Sequence, residues 1–389
     1  MSDTALDATG SSLSLASAAR NETRAADKEH VIDAMRGFAA LLVAYFHCRQ
    51  VEWIGMQSFH QIVGKPHDLN SIVAYLTLPI AWGSAGVPIF FVISGYCIHR
   101  GAAQRLLNDS AYRLDAMNFW ARRFARIYPV LLAALLLTLA LDWTSLHFPP
   151  VSHKILDIGP RAFFVNLFSL QGVAGKTYGS NGALWTLSLE VQFYAVYPLL
   201  FALRRRIGMM PVLGIVALVN VASVFVFERN DLQFFTSFWF SWMLGAWIAE
   251  LQVKREVRTQ RPWMMYGAAV LLTAGGCAAF RYGQYFAFQL WALGFACYLR
   301  EALKSRRQND TVVIRVLSRF GDFSFSLYSI HLPIFVLLSS VMFRSVLQVS
   351  IFPTFVFMAV AVAVAWVFYR CVELPAMKWS ASFRSSGGR

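Results

Sequence analysis

Apolar runs of about twenty residues, separated by short polar stretches, recur along the chain from residue 34 to residue 371. A helix of that length crosses the ~30 Å hydrocarbon core of a bilayer. Ten spans are predicted, at 34–53, 79–99, 124–143, 184–203, 209–227, 233–251, 263–281, 283–299, 322–343 and 351–371. The runs are continuous and lack the period-two alternation of a membrane barrel. The expected fold class is therefore an all-α polytopic membrane protein, a bundle of about ten transmembrane helices. Residues 1–33 are polar and have no apolar core of a signal peptide, so a disordered tail is expected there. The transmembrane domain is placed at 34–375, with a second tail at 376–389. The longest connection, 142–183, holds Pro149, Pro150, Pro160 and the apolar piece RAFFVNLFSL. That piece is too short to span and predicts an interfacial or re-entrant segment, suited to a lid or to part of a binding site.

Composition agrees with this pattern. Hydrophobic residues make up 57% of the 389 and charged residues 14%, against roughly 25% charged in soluble domains. The mean hydropathy is +0.49.

The net charge of +14 would suggest a nucleic acid if it were spread evenly, but it sorts by loop. Arg20, Arg24 and Lys28, the cations of 100–126, Arg204, Arg205 and Arg206, those of 254–261 and 300–319, and the C-terminal end all fall on one side. The other side carries scattered single charges such as Lys65, Lys154, Arg229 and Arg344. Positive loops stay cytoplasmic. Both termini are thus expected in the cytoplasm, in a multi-pass protein of the cytoplasmic (inner) membrane, with membrane lipids and not nucleic acid around it.

Cys48, Cys97, Cys277, Cys297 and Cys371 lie in or beside apolar runs, without a CxxC or a His–Cys spacing suited to zinc. Neither a disulfide nor a metal site is expected.

Ionisable residues inside spans are costly and mark function. Arg36 and His47 lie in the first run, MRGFAALLVAYFHCRQVEW. Their eleven-residue spacing puts them on one helix face, about 16 Å apart along the axis. Thr186, Glu190 and Tyr194 recur every fourth residue in LWTLSLEVQFYAVYP and form a polar stripe. Counted from opposite ends of their helices, His47 and Glu190 fall at similar depth, which predicts that the carboxylate orients the imidazole. The alternative is that Glu190 fixes helix packing alone, and Arg36 can equally be the flank of its span reaching for headgroups. Arg122, Arg123 and Arg126 in FWARRFARIYP suit phosphate recognition, or plain anchoring to anionic lipid. Ser94, in GSAGVPIFFVISGYCIH, and Tyr328 and His331, in FSFSLYSIHLPI, are further candidates for contact with a ligand.

In these segments the chain resembles the membrane-bound acyltransferase family 3, bacterial O-acyltransferases of lipopolysaccharide, exopolysaccharide and related glycans. The pieces, in order, are Arg36 and His47 with ten residues between them, FFVISGY, RRFARIYP, LWTLSLEVQFYAVYP, FSFSLYSIHLPI, and VELPA with Glu373 and Pro375. The resemblance implies acyl-CoA, usually acetyl-CoA, as donor and a saccharide hydroxyl as acceptor. It marks Arg36 and His47 as essential and Arg123 and Arg126 as donor contacts, with Arg122 beside them. It also implies that the chain acts without the fused extracytoplasmic domain of some members. The expected mechanism has His47 as general base or acyl carrier, Glu190 orienting it, and Tyr328, His331 or Ser94 donating to the oxyanion. A transporter or flippase for a lipid-linked or anionic substrate is the alternative, since it too needs buried Arg, Glu and His.

Overall fold

The computed structural model describes residues 30–65, 67–227, 232–254, 261–304 and 311–383. Among these residues the regular elements are helices, with two isolated bridges and no strand. In chain order they are α1 (His30–Glu52), α2 (Met56–Val63), α3 (Leu69–Leu76), a 3-10 segment (Leu78–Ala85), α4 (Gly86–Asn108), α5 (Ala116–Ser145) and α6 (Pro160–Leu167). There follow α7 (Trp185–Ile207), α8 (Met209–Val226), α9 (Trp239–Val253), α10 (Pro262–Ala279), α11 (Gln284–Ala302), α12 (Val312–Asp322), α13 (Ser324–Phe343), α14 (Phe352–Phe368) and α15 (Leu374–Ser382).

Each predicted span coincides with a long helix, and eight helical stretches are long and apolar enough to cross a membrane. The other two predicted spans became α9 and α11. The first has 15 residues, about 22 Å at 1.5 Å per residue, because Phe235–Ser237 ahead of it forms a separate 3-10 turn. In α11, Gln284, Gln289, Arg300 and Glu301 dilute the apolar run. Both are packed inside the bundle, α9 against α4 through Trp242, Leu244 and Ile248.

Boundaries move where buried side chains extend a helix past its apolar run. The first helix starts at His30, inside the stretch assigned to the tail, because Val31, Ile32 and Met35 are buried. Residues 1–29, with Arg20, Arg24 and Lys28, lie outside the described residues, as does Arg229. Helix α4 continues past Arg100 because Ala102 and Ala103 remain buried. Residues 376–382, assigned to the second tail, form most of α15. A five-residue π-turn, Tyr369–Glu373, leads into it, and it packs on α5 where Ser380 Oγ donates to the Arg122 carbonyl.

The 142–183 connection contains one short helix, α6, and a set of buried polar pins. Asp142 is fully buried and accepts from the Ser180 amide at 2.7 Å and hydroxyl at 2.6 Å. Asn181 Nδ2 donates to Thr138 Oγ1 and to the Ser329 carbonyl. Fully buried Asn166 donates to the carbonyls of Ala162 and Lys176 and accepts from the Tyr178 amide. Buried polar groups with all these partners fix a single backbone path. The segment is a pinned cap on the bundle rather than a loose lid.

Arg36, at the start of α1, and Arg126, near the start of α5, share one cavity. With α15 fastened at Arg122, both ends of the described chain sit at this end of the bundle, called here the arginine end. The 146–181 segment caps the opposite, far end.

Candidate active site

Two polar centres occupy the middle of the bundle. The first is a cavity of about 300 Å³ with three arginines on its lining. Its walls come from α1 (Arg36), α4 (Ser94, Cys97), α5 (Arg123, Arg126), α7 (Thr186, Glu190, Tyr194) and α13 (Ser324, Tyr328). The stripe Thr186–Glu190–Tyr194 thus faces one space, as its four-residue repeat requires. Glu190 Oε1 accepts from Ser94 Oγ at 2.8 Å and from the Tyr194 hydroxyl, and Trp242 Nε1 reaches Ser94 Oγ at 3.3 Å. This cluster joins α4, α7 and α9 at one level.

The arginines stand in the same space with partial compensation. Arg36 has Asp33 at 3.5 Å, one turn earlier on its own helix. The Arg123 guanidinium lies over the Phe119 and Tyr194 rings, at 5.5 and 5.7 Å, and its Nε is buried without a hydrogen-bond partner among the described residues. Glu373 is buried nearby, occupied by Ser326, whose amide (3.1 Å) and hydroxyl (2.6 Å) donate to it. Three cations on the lining of one cavity have the chemistry that suits a multiply charged anion. Arg122 does not line this cavity. Its carbonyl accepts from Ser380 Oγ of α15.

The second centre is a histidine pair. His47 Nδ1 lies 2.8 Å from His331 Nε2, with the ring planes within 10° of each other and the centroids 5.1 Å apart. His331 Nδ1 lies 3.0 Å from the Leu327 carbonyl, which can only accept. That nitrogen therefore carries the proton, so Nε2 of neutral His331 is an acceptor. His47 must then donate from Nδ1, which leaves His47 Nε2 with its lone pair available. One carbonyl four residues before His331 thus sets the tautomer of both rings. Lys154, from the cap, is within electrostatic range of His47.

Tyr328 separates the two centres. Its hydroxyl accepts from Thr186 Oγ1 at 2.7 Å, and its ring meets His331 edge-on at 5.9 Å. The expected pairing of Glu190 with His47 is absent from these contacts. Glu190 is taken by Ser94 and Tyr194, and the partner of His47 is His331. Equal depth did not bring the two together because helix rotation, which depth counting ignores, points them at different neighbours.

A third buried cluster escaped the sequence reading. His99 on α4 lies between the Tyr197 hydroxyl and Glu250, each at 3.0 Å, and Arg204 makes a two-point contact with Glu250. The signal was a lone carboxylate in the apolar WIAEL and a histidine ending the second run. Among the described residues, no group of three or more His, Cys, Asp or Glu is arranged to hold a metal.

The family model described as an acyltransferase domain, family 3, matches residues 29–370. Nodulation protein 10 of Rhizobium leguminosarum bv. viciae is 29% identical over 187 residues, 45% of this chain and 44% of that protein. Acyltransferase MdmB of Streptomyces mycarofaciens is 27% identical over 174 residues, 44% of this chain and 39% of that protein. O-acetyltransferase OatA of Staphylococcus aureus (strain NCTC 8325 / PS 47) is 30% identical over 142 residues, covering 32% of this chain and 22% of that protein. The matched region thus spans less than half the length of each of these curated relatives. No solved structure matches.

Proposed function

Since the chain belongs to acyltransferase family 3, with a match over most of its length, we propose that it is a multi-pass membrane O-acyltransferase. It moves an acyl group, acetyl by default, from acyl-CoA to a hydroxyl of an envelope or exported glycan. The arginine end faces the cytoplasm of a bacterial inner membrane, in keeping with the loop charges. The O-acetyltransferase name carried by OatA supports the reaction class.

The donor approaches from the arginine end. Arg36, Arg123 and Arg126 hold its phosphates, and the narrow cavity admits the slender acyl–pantetheine arm. The acceptor hydroxyl comes to His47 from the far end. His47 Nε2 takes the hydroxyl proton as the oxygen attacks the thioester carbon, a C–O bond forms, the C–S bond breaks, and the thiolate leaves with the proton that His47 returns. His331 is a positioning residue that keeps the lone pair on His47 Nε2. Tyr328, on the cavity wall between the centres, donates to the developing oxyanion. Glu190 shapes the wall by holding Ser94 and Tyr194. A two-step version with acyl carried on His47 uses the same nitrogen.

The observation that carries this reading is the hydrogen-bond chain Leu327 carbonyl–His331–His47. A neutral imidazole with one fixed N–H and one available lone pair is a general base near pH 7. The test is O-acyl ester content of envelope glycans, by NMR, in cells lacking the protein and complemented with wild type or His47→Ala at matched membrane levels. Esters restored by wild type alone are expected. Restoration by the variant would remove His47 from the chemistry.

A further inference from the structure

A second cavity, of about 460 Å³, opens at the far end of the bundle, separate from both polar centres. Three chain stretches build it: the cap (with Gly172, Lys176 and Thr177), the turn into α7 (Gly182, Trp185), and the approach to α9 (Gln233). Its volume lies in the range of ligand sites, ~300–1,000 Å³.

The walls are fixed in place. The Gly172 amide donates to the Gly175 carbonyl at 2.7 Å, and the Gly172 carbonyl accepts from the Gln233 amide at 3.0 Å. Gly172 has φ +88°, and a Cβ there would run into Gln233 at 2.8 Å, so this close approach requires glycine. Asn166 holds the Lys176 carbonyl and the Tyr178 amide from below. Gln171 Nε2 donates to the Leu184 carbonyl at 2.8 Å, tying the turn to the start of α7. Such preorganisation lowers the ordering cost of binding.

The lining chemistry is mixed. Trp185, Leu156, Val173 and Leu232 supply apolar surface, and Lys176, Thr177 and Gln233 supply an ammonium, a hydroxyl and a carboxamide. A pyranose ring has the matching character, with a C–H face to lie against the indole and rim hydroxyls that both donate and accept. An acyl chain would leave the polar groups unmatched, and a nucleotide phosphate would find a single cation.

The position is beside the reaction centre and not over it. His47 is not on the wall. Gly182 packs toward Leu332, 3.8 Å from a Cβ built on it, and Leu332 follows His331 in sequence. Trp185 is on this wall and Thr186, the next residue, is on the wall of the arginine cavity.

Resting on the O-acyltransferase reading, we propose that this pocket seats a sugar ring of the acceptor other than the one that is acylated. The acceptor is then an oligosaccharide or polysaccharide held at two places, one for chemistry and one for recognition.

The test uses full-length protein in nanodiscs, acetyl-CoA, and fragments of one to six sugars cut from the cells' own envelope glycan. Two variants probe the pocket, Thr177→Trp, which fills it, and Gln233→Ala, which removes an amide and leaves the backbone bond to Gly172. For wild type, kcat/KM for the acceptor should rise tenfold or more between one sugar and three or more. Both variants should flatten that rise while acetyl-CoA binding and transfer to a single sugar stay within twofold. No length dependence in wild type, or an intact rise in both variants, overturns the proposal. If wild type transfers to none of the fragments, the enzyme reading fails separately, and saturation-transfer NMR with the same fragments decides the pocket. Binding lost in Thr177→Trp and weakened in Gln233→Ala sustains it, and binding that is absent in wild type or unchanged in the variants overturns it.

Discussion

Gly95 on α4 and Gly245 on α9 are pressed against one another's helices. A Cβ added at Gly95 would run into the Trp242 carbonyl oxygen, and one added at Gly245 into that of Val92. Small residues at a membrane helix crossing let the backbones approach closely. Here the approach also sets the level of Ser94, next to Gly95, against Trp242 and Glu190. Gly245→Ala should force the helices apart and cost about 1–3 kcal/mol, the scale of overpacking a tight core. The check is thermal unfolding in detergent, with a lowered Tm and loss of transfer expected. An unchanged Tm would mean the crossing relaxes freely.

The histidine pair predicts a graded series at residue 331. His331→Ala removes the acceptor that holds His47 Nδ1–H, so transfer should fall by one to two orders of magnitude. His331→Gln can receive that N–H on its amide oxygen and donate from its nitrogen, so it should recover part of the loss. His47→Ala should cost more than either, about 10²–10⁴ in rate for a lost general base. Equal activity of the Ala and Gln variants would sink the tautomer argument.

Arg123 and Arg126 should act on donor affinity. A hydrogen bond to a charged group contributes about 1.5–3 kcal/mol, so Arg123→Gln or Arg126→Gln should raise KM for acetyl-CoA by roughly ten- to a hundredfold, with a smaller change in KM for the acceptor. Arg122→Gln should leave donor KM within twofold, because Arg122 lies off the cavity wall. Steady-state kinetics with each substrate varied in turn distinguishes these patterns.

The His99–Glu250–Arg204 cluster predicts a stability effect. The Glu250 side chain is 4% exposed and that of Arg204 17%. Removing one partner of a buried pair leaves an uncompensated charge and costs about 3–5 kcal/mol. Glu250→Ala should therefore lower Tm and yield, and adding Arg204→Ala to it should cost little more, since the double variant buries no lone charge. A double-mutant cycle on Tm measures the difference.

The sequence made the helices legible because a bilayer admits few alternatives to a long apolar run. It also placed Arg36, Arg123 and Arg126, which the fold brings to one cavity, and the Thr186–Glu190–Tyr194 stripe, which stays on one wall. It misassigned the partner of His47, because depth along two helices says nothing about the rotation of each. Residues 376–382 looked like a tail because α15 is short and mixed in polarity, and its place is set by packing against α5, a tertiary fact. Arg122 was grouped with its neighbours by adjacency, whereas adjacent helical residues point about 100° apart.

The bond from Ser180 to Asp142 joins positions 38 residues apart. The intervening chain is thus a closed loop whose ends already meet on the bundle. Extending such a loop is cheap, since doubling its length adds only about 0.6 kcal/mol of closure entropy. The cap can therefore lengthen, shorten or change its face through evolution while the histidines and arginines beneath it stay where they are. On the proposed reading, the molecule keeps its chemistry in an inherited frame and its choice of acceptor in a replaceable part.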